Sequence, residues 1–421
     1  MRLAARACFT GILLLTASVA VAQYTPPGGP RERAGSRQEA LEKEMSDTRF
    51  HLGPVRIAPW ISLKDVAVVR TEDETGATSD DFTATVGAGL RGYLRTGPAV
   101  IWTAQVLPEY AWWRDRDDRR SLNGRYGAAL HGFWNRLDLE IGADREELQQ
   151  IVSPEVLTPA TVRTDRGHAE AEVRWTGALS TWLSFAESEQ TSQLDSSDPL
   201  AGTLRRLDRR EQTARATVRL RRRQSLMVGV GAERTQAEFA AATGQAFDRS
   251  NSGVSPVAEL RIDRPGLSVQ AEIVDRSLEA ERGSRFLKYD RVTGNGSLVF
   301  NPGGRLETWL YGQRGLAYSL LPQYAYLTDE RLGAALRLKL GWRTAARVFA
   351  EGGTGDYTTL SPGTPERQDD YTSYGGSLQL ELGRAGSIAL QAARVEFDSN
   401  LAIYDRTYNS IGLTLNLTGW Q

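Results

Sequence analysis

Residues Arg331–Arg343 read RLGAALRLKLGWR and carry the pattern that decides the fold. Apolar residues take every second position from Leu332 to Trp342, and the positions between them hold arginine, lysine, glycine or alanine. A strict period of two is typical of a β-strand whose two faces meet different surroundings. The stretch therefore predicts a strand with one apolar face and one polar face.

The same alternation recurs along the chain from Val55 onward. Thr213–Arg221 is a second clear example, with Ala214 to Leu220 apolar at every other position. Further alternating segments are Leu137–Ile141, Ala169–Trp175, Leu226–Val230, Ala258–Ile262, Leu267–Ile273, Ala346–Ala350, Leu378–Leu382 and Ile411–Leu417. The parity is mixed in Gly294–Phe300 and Ile388–Phe397, which predicts β-bulges there.

The connections between these segments alternate in length. Long polar connections are Thr71–Asp81, Arg114–Arg120, Val152–Arg166, Gln190–Arg209, Gln236–Asn251, Arg276–Lys288, Gly315–Asp329, Gly355–Asp370 and Asp398–Thr407. Tight turns are Thr96–Pro98, Trp134–Arg136, Thr176–Gly177, Arg222–Gln224, Arg264–Gly266, Asn301–Gly304, Gly341–Thr344 and Gly383–Gly386. Nine long and eight short connections predict an all-β fold, a transmembrane antiparallel barrel of about 18 strands (16–18), with short periplasmic turns and long extracellular loops.

The N-terminal 50 residues differ from the rest. Residues 1–22 combine Arg2 and Arg6 with an apolar stretch and end in Ala20-Val21-Ala22, which predicts a cleaved signal peptide. Residues 23–50 are rich in proline, glycine and charge, with a short helical pattern, and we interpret them as a periplasmic tail. A plug inside the barrel is the alternative. Residues 51–421 are assigned to the barrel.

Composition excludes several classes of protein. The formal net charge of −1 gives no basic footprint for nucleic acid. The single cysteine, Cys8, lies in the expected signal peptide, so a disulfide framework is excluded from the mature chain. The histidines His51, His131 and His168 do not have the spacing of metal ligands on one element. We expect no cofactor and no metal.

Aromatic residues and the last strand both favour a membrane setting. Aromatic residues near predicted strand ends fit interfacial girdles; they are Trp102, Trp112, Trp113, Trp134, Trp175, Trp309, Trp342, Trp420, Tyr93 and Tyr110. The final segment Tyr408–Leu417 resembles the terminal strand that the outer-membrane barrel assembly machinery recognises. That machinery, outer-membrane lipid and lipopolysaccharide are the expected partners. In the loop Arg114–Arg120, arginine would contact lipopolysaccharide phosphates, or aspartate would hold bridging cations.

A resemblance to a known family rests on the first barrel segments. Leu52–Pro59, then Ser79–Ala84 leading to Val86-Gly87, resemble the β-barrel porins of the outer membrane of Gram-negative bacteria. The resemblance extends loosely over the barrel. It implies a role in transport, and it implies exopolysaccharide export components as partners, because members of this family are discussed in that context.

If the apolar face meets lipid, the polar face lines the lumen. The lumen-lining candidates are Asp138, Glu140, Glu170, Glu172, Arg174, Arg215, Arg219, Arg221, Glu259, Arg261, Arg337, Lys339, Arg347 and Glu381. Acidic residues concentrate between positions 138 and 172, and basic residues near 215–221 and 331–347. Separate walls of opposite sign would set a field across a water-filled pore. Alternatively, these charges pair with each other and fill the lumen.

Three functions follow from this pattern. The first is a charge-lined pore that passes polar solutes or an exported polysaccharide without covalent chemistry. The second is a barrel enzyme acting on lipid or surface peptide, which would need His131 or His168 in a catalytic constellation on the lipid face or outer rim. The third is a structural or surface-binding barrel that paired charges close.

Overall fold

Nineteen antiparallel strands and two short helices form the part of the chain that the structure describes. The structure is a computed structural model, and it describes residues 37–48, 50–72, 78–117, 120–153, 155–193, 201–222, 225–240, 248–383 and 386–418. The elements are α1 (Arg37–Asp47), β1 (Phe50–Leu52), β2 (Val55–Glu72), β3 (Thr78–Thr96), β4 (Val100–Trp113), β5 (Ser121–Phe133), β6 (Leu137–Ser153), β7 (Val156–Arg174), β8 (Leu179–Gln193), α2 (Ala201–Leu204), β9 (Arg209–Arg222), β10 (Leu226–Phe239), β11 (Asn251–Arg264), β12 (Leu267–Ala280), β13 (Tyr289–Phe300), β14 (Leu306–Tyr318), β15 (Tyr324–Lys339), β16 (Thr344–Thr359), β17 (Gln368–Glu381), β18 (Gly386–Ser399) and β19 (Arg406–Thr418). The predicted signal peptide, residues 1–22, lies outside the described residues.

Strands β2 to β19 close into a barrel. Each strand pairs with its sequence neighbours, and β19 returns to pair with β2 from Tyr408↔Thr71 to Thr418↔Trp60. Closure leaves no open sheet edge, so backbone groups along the wall have partners on both sides. The predicted antiparallel barrel of 18 strands is confirmed.

The two ends of the barrel differ. We call the end with turns such as 97–99, 134–136 and 265–266 the short-turn end, and the opposite end the loop end. At the short-turn end, Gly97 and Gly266 have φ angles of 75° and 76°, a region that glycine enters without a Cβ clash. Short and longer connections alternate in the fold; for example, the short connections 265–266 and 301–305 lie on either side of the longer connection 281–288.

Two predicted long loops are wrong as loops. Residues 152–166 belong to one long hairpin, because β6 runs to Ser153 and β7 starts at Val156. Similarly, β14 and β15 leave only residues 319–323 between them. About 9–11 residues of a tilted strand cross a bilayer, so the 17 and 19 residues of β6 and β7 continue well beyond that length. The sequence of that extension lacks strict alternation, which gave it the appearance of a loop.

The predicted bulges are also wrong in position. Residues 294–300 pair in continuous register with both neighbours, and so do residues 388–397. Register shifts occur elsewhere, including between Lys64 and Ala67 on β2 and between Leu413 and Leu415 on β19. In residues 388–397 the parity is mixed because the apolar side chains of Val395 and Phe397 are buried on the inner face, whereas Leu390 is exposed on the outer one.

The two faces of the wall differ as the alternation predicts. Large apolar side chains such as Leu336 and Leu338 are exposed, whereas Arg337 between them is buried. The aromatic girdle is only partly correct: Trp102, Trp134, Trp175, Trp342 and Tyr110 are exposed, but Tyr93, Trp113 and Trp309 are buried on the inner face. Their parity within the strand, and not their distance from its end, decides which face they take. Trp420 lies outside the described residues.

Neither helix in the described ranges is long and apolar enough to cross a membrane. Helix α1 packs onto barrel strands: its Met45 is buried against Tyr93, Ile101 and Phe133. The part of the expected tail that the structure describes, residues 37–48 and Phe50, thus includes a helix that contacts the wall. Residues 23–36 of that tail lie outside the described residues.

Candidate functional site

The candidate site is the inner face of the barrel. All fourteen candidates have the strand parity opposite to that of the exposed apolar residues. That this parity is the inner one follows from contacts between strands that are not neighbours: Trp113 of β4 and Tyr371 of β17, which have this parity, belong to one buried cluster. Alternation along each strand is sufficient to place these side chains, since successive residues point to opposite faces.

Opposite charges on this face are paired and not separated into two walls. Arg215 contacts Glu233 and Glu272, so one guanidinium joins three strands, β9, β10 and β12. Other pairs are Arg219–Glu259 at 2.9 Å, Arg221–Glu172 at 2.6 Å, Arg261–Asp263 at 2.8 Å and Arg174–Asp138. The idea of a field between an acidic wall and a basic wall is therefore wrong for this region. Sequence placed Glu233 on the lumen face, but it did not predict the pairing of Arg215 with Glu233 or of Arg261 with Asp263, because strand register was unknown.

A second group of basic residues on β15 and β16 behaves differently. Arg337 and Arg347 are direct partners in the register, and Lys339 lies two positions beyond Arg337. Among the described residues, none of the three forms an ion pair within 4.0 Å. The Arg347 guanidinium lies 5.4 Å from the ring of Trp309, a residue that the sequence assigned to a girdle. We call Arg337, Lys339 and Arg347 the basic patch.

Two acidic candidates, Glu140 and Glu170, contact α1, and Glu140 also contacts two histidines. Glu140 lies 3.0 Å from His131 Nδ1 and 2.9 Å from His168 Nε2, and it also contacts Arg37. Glu381, the last candidate, accepts a hydrogen bond from Gln379 at 2.8 Å. Both histidines thus face the lumen and contact a carboxylate, which places them away from the lipid face.

Loops gather over the loop end. The carboxylate of Glu155, at the tip of the β6–β7 hairpin, accepts hydrogen bonds from Ser319 Oγ and from the Leu320 N–H. Arg367 approaches the same carboxylate at 3.8 Å. Burial raises the pKa of Glu155. Nearby, Arg249 donates to the Tyr324 carbonyl at 3.0 Å, and burial lowers its pKa to about 10.

None of these loop contacts was predicted from sequence. Glu155 and Arg249 lie in segments that read as solvated loops, and nothing in their local sequence marks them as buried. Both are nevertheless at least nine-tenths buried. A buried charge needs hydrogen-bonding partners, and here they come from loops far away in sequence.

Comparisons with known proteins give structural neighbours only. No protein-family model matches the sequence, and no curated protein matches it. The chain is similar to a BenF-like porin from Pseudomonas fluorescens Pf-5, with a TM-score of 0.53, 10% identity, and coverage of 87% of this chain and 100% of that one. It is also similar to OccK2 (OpdF) of Pseudomonas aeruginosa in complex with glucuronate, with a TM-score of 0.52, 10% identity and coverage of 86% and 98%.

A third neighbour is OccAB3 of Acinetobacter baumannii, with a TM-score of 0.50, 10% identity and coverage of 86% and 99%. At such identities the likeness concerns the fold. The chain has an 18-stranded antiparallel barrel similar to those of outer-membrane porins.

Proposed function

We propose that this protein is an outer-membrane channel for polar solutes and that it favours anionic ones. The observation that carries the proposal is the basic patch, three cations without an ion pair on the inner face of a closed barrel. Barrels of 16–18 strands are wide enough for an aqueous channel. Rings or clusters of basic side chains favour anions in such pores.

The physical contrast with the rest of the wall supports this choice. Arg215, Arg219 and Arg221 are neutralised by carboxylates, so their net attraction for a passing anion is small. Arg337 and Arg347 face each other as like charges, and Glu307, the register partner of Arg337 on β14, can offset only one of them. A carboxylate or phosphate group between them would form charge-assisted hydrogen bonds. The glucuronate in the OccK2 structure is an anion of this kind, in a barrel of similar fold.

The test is ion selectivity in planar bilayers. With a salt gradient across the membrane, the wild-type reversal potential should show anion preference. The triple variant Arg337→Gln, Lys339→Gln, Arg347→Gln should lose that preference or invert it. Lys288→Gln is the matched control, because it removes an exposed cation that pairs with Asp290 at the loop end. Absence of conductance in well-folded protein would contradict the channel, and unchanged selectivity in the triple variant would contradict the role of the patch.

We further propose location in the outer membrane after removal of residues 1–22, with insertion by the barrel assembly machinery through β19. Outward-facing pairs at the loop end support contact with lipopolysaccharide, including Arg70–Asp80 at 2.6 Å and Arg314–Glu330 at 3.0 Å. In the 114–120 loop, Arg114 and Arg120 pair locally with Asp115 and Asp117. Fractionation of inner and outer membranes tests the location.

The other functions have less support. An enzyme acting at the lipid face would need a histidine there, whereas His131 and His168 both point inward to Glu140. Within the described residues, no group of three or more His, Cys, Asp or Glu side chains could hold a metal ion. Polysaccharide export, which the family resemblance implies, is not favoured by any contact on the wall, and we do not propose it.

A further inference from the structure

Helix α1 lies inside the barrel at the short-turn end. Its eleven residues contact inner-face residues of β2, β3, β4, β5, β6 and β7. An α-helix of this length spans about 16 Å and is about 10–12 Å wide with its side chains. A body of that size narrows the cross-section through which a solute would have to pass.

Polar contacts hold both ends of α1. At its start, Arg37 lies 3.0 Å from Glu140 and 2.8 Å from Glu170. Towards its end, Glu42 accepts a hydrogen bond from Arg95 at 2.5 Å, and Glu44 accepts one from Tyr93 Oη at 2.9 Å. The helix is thus positioned by pairs with residues that themselves belong to the barrel wall.

One apolar contact complements the polar ones. Met45 is buried among Tyr93, Ile101 and Phe133, with Leu41 packed beside it. On the opposite face of α1, Glu39, Ala40, Lys43, Ser46 and Asp47 are exposed. Residues at i, i+3, i+4 and i+7 share a face of a helix, so α1 turns one side to the wall and a polar side to the enclosed space.

The attachment of α1 is weak enough to be reversible. Arg37 and Arg95 retain 44% and 40% of their side-chain exposure, and exposed ion pairs contribute little to stability. A helix of eleven residues is marginal in water without packing. Once Met45 leaves its pocket, little apolar packing remains to keep α1 bound to the wall or helical.

We propose that α1 is an internal plug, which narrows the solute path at the short-turn end and has to leave its seat before solutes pass freely. The proposal rests on the proposed channel function and adds its regulation. Arg37 binds between the carboxylates of Glu140 and Glu170. When Arg37 and Met45 detach, these carboxylates become exposed to the lumen. Opening is then a shift from the population in which α1 is bound to the wall to the population in which it is detached.

Thiol labelling measures the fraction of protein in which α1 is bound to the wall. In a full-length Cys8→Ser background, which contains no thiol, Met45→Cys should react slowly with a membrane-impermeant maleimide. Ser46→Cys, on the exposed face, should react rapidly. Adding Arg37→Gln and Tyr93→Phe removes two anchors and should speed Met45→Cys labelling about tenfold or more. Asp47→Asn is the control, because it removes a charge from the exposed face of the same helix.

Conductance of the same proteins completes the test. The Arg37→Gln, Tyr93→Phe variant, or a variant lacking residues 37–47 if the double variant misfolds, should conduct more than wild type. Equal labelling of Met45→Cys and Ser46→Cys in otherwise wild-type protein would overturn the plug, and so would unchanged conductance after faster labelling. If labelling accelerates but neither protein conducts at all, the channel function fails, while the release of α1 stands.

Discussion

Ser319 Oγ donates a hydrogen bond of 2.7 Å to Glu155, a residue 164 positions earlier in the chain. Glu155 is the tip of the β6–β7 hairpin, and Ser319 follows β14. Six strands separate β7 from β14 around the ring, so the contact joins distant parts of the wall. The long hairpin therefore bends over the loop end, and the carboxylate at its tip is the point of attachment.

Replacing Glu155 should detach this hairpin. Glu155→Ala leaves the Leu320 N–H and the Ser319 hydroxyl without their acceptor, whereas Arg367 keeps its hydrogen bonds to Asp369. Leaving buried polar groups unpaired costs about 1–3 kcal/mol. We expect a lower free energy of unfolding in lipid vesicles and faster proteolysis near residue 155 in intact vesicles. Glu146→Gln, in an exposed pair with Arg125, is the control; equal proteolysis of the two variants would contradict the attachment.

Acid should loosen helix α1 through Glu42. Hydrogen bonds from Gln38 and from Arg95 lower the pKa of Glu42 below 4.5. A group with a lowered pKa in the folded state stabilises it at pH values above its unfolded pKa, and that contribution is lost as the pH falls through the folded pKa. Labelling of Met45→Cys should therefore accelerate below about pH 4.5. Glu42→Gln should reduce this acceleration, and the same pH profile in both proteins would show that Glu42 does not contribute.

Arg215 should be the most costly lumen arginine to replace. Glu233 retains 3% of its side-chain exposure and would keep only Arg276 as an ion-pair partner, while Glu272 would lose its contact with Arg215. Arg215→Gln should lower the free energy of unfolding by about 1–3 kcal/mol, since a buried charge loses its partner. Arg145→Gln removes an exposed arginine paired with Asp165 and should cost at most about 1 kcal/mol. Urea unfolding in lipid vesicles measures both.

A charged residue on the exposed apolar face should destabilise the barrel more when it lies deeper in the bilayer. Leu336 lies outward and several residues from the end of β15, whereas Leu340 follows the strand at the short-turn end. Arginine at the midplane of a bilayer destabilises a barrel by about 2–4 kcal/mol and by about 0–1 kcal/mol near the interface. Leu336→Arg should thus be far more destabilising than Leu340→Arg in vesicles. Similar costs for both would argue against burial of this face in lipid.

Local periodicity was sufficient to predict the barrel. In Arg331–Lys339 each outward and inward position is assigned correctly, because alternation depends on the strand itself, whereas residues 340–343 lie in the turn that follows β15. The same rule placed all fourteen charged candidates on one face. Where the sequence lacks strict alternation, as in residues 152–166, periodicity carries no information and a strand was interpreted as a loop.

Contacts between distant segments could not be predicted in this way. The pairing of Arg215 with Glu272 requires the register of four strands, from β9 to β12, and the sequence does not state any of them. Likewise, the pattern around Leu41 and Met45 predicted a helix, but not the pocket of Tyr93, Ile101 and Phe133 that receives it. Glu155 offered no local signal, because its partners come from three other connections.

The seam between β2 and β19 has a consequence for how the chain is assembled. Every other pairing in the ring joins strands adjacent in sequence, so hairpins can form one after another with short loop closures. Thr71 and Tyr408 are 337 residues apart, and their strands can meet only after the whole wall has been made. Until that last step, the sheet has two unpaired edges open to other chains. Completion of the ring is thus the event that turns an aggregation-prone ribbon into a membrane-stable wall.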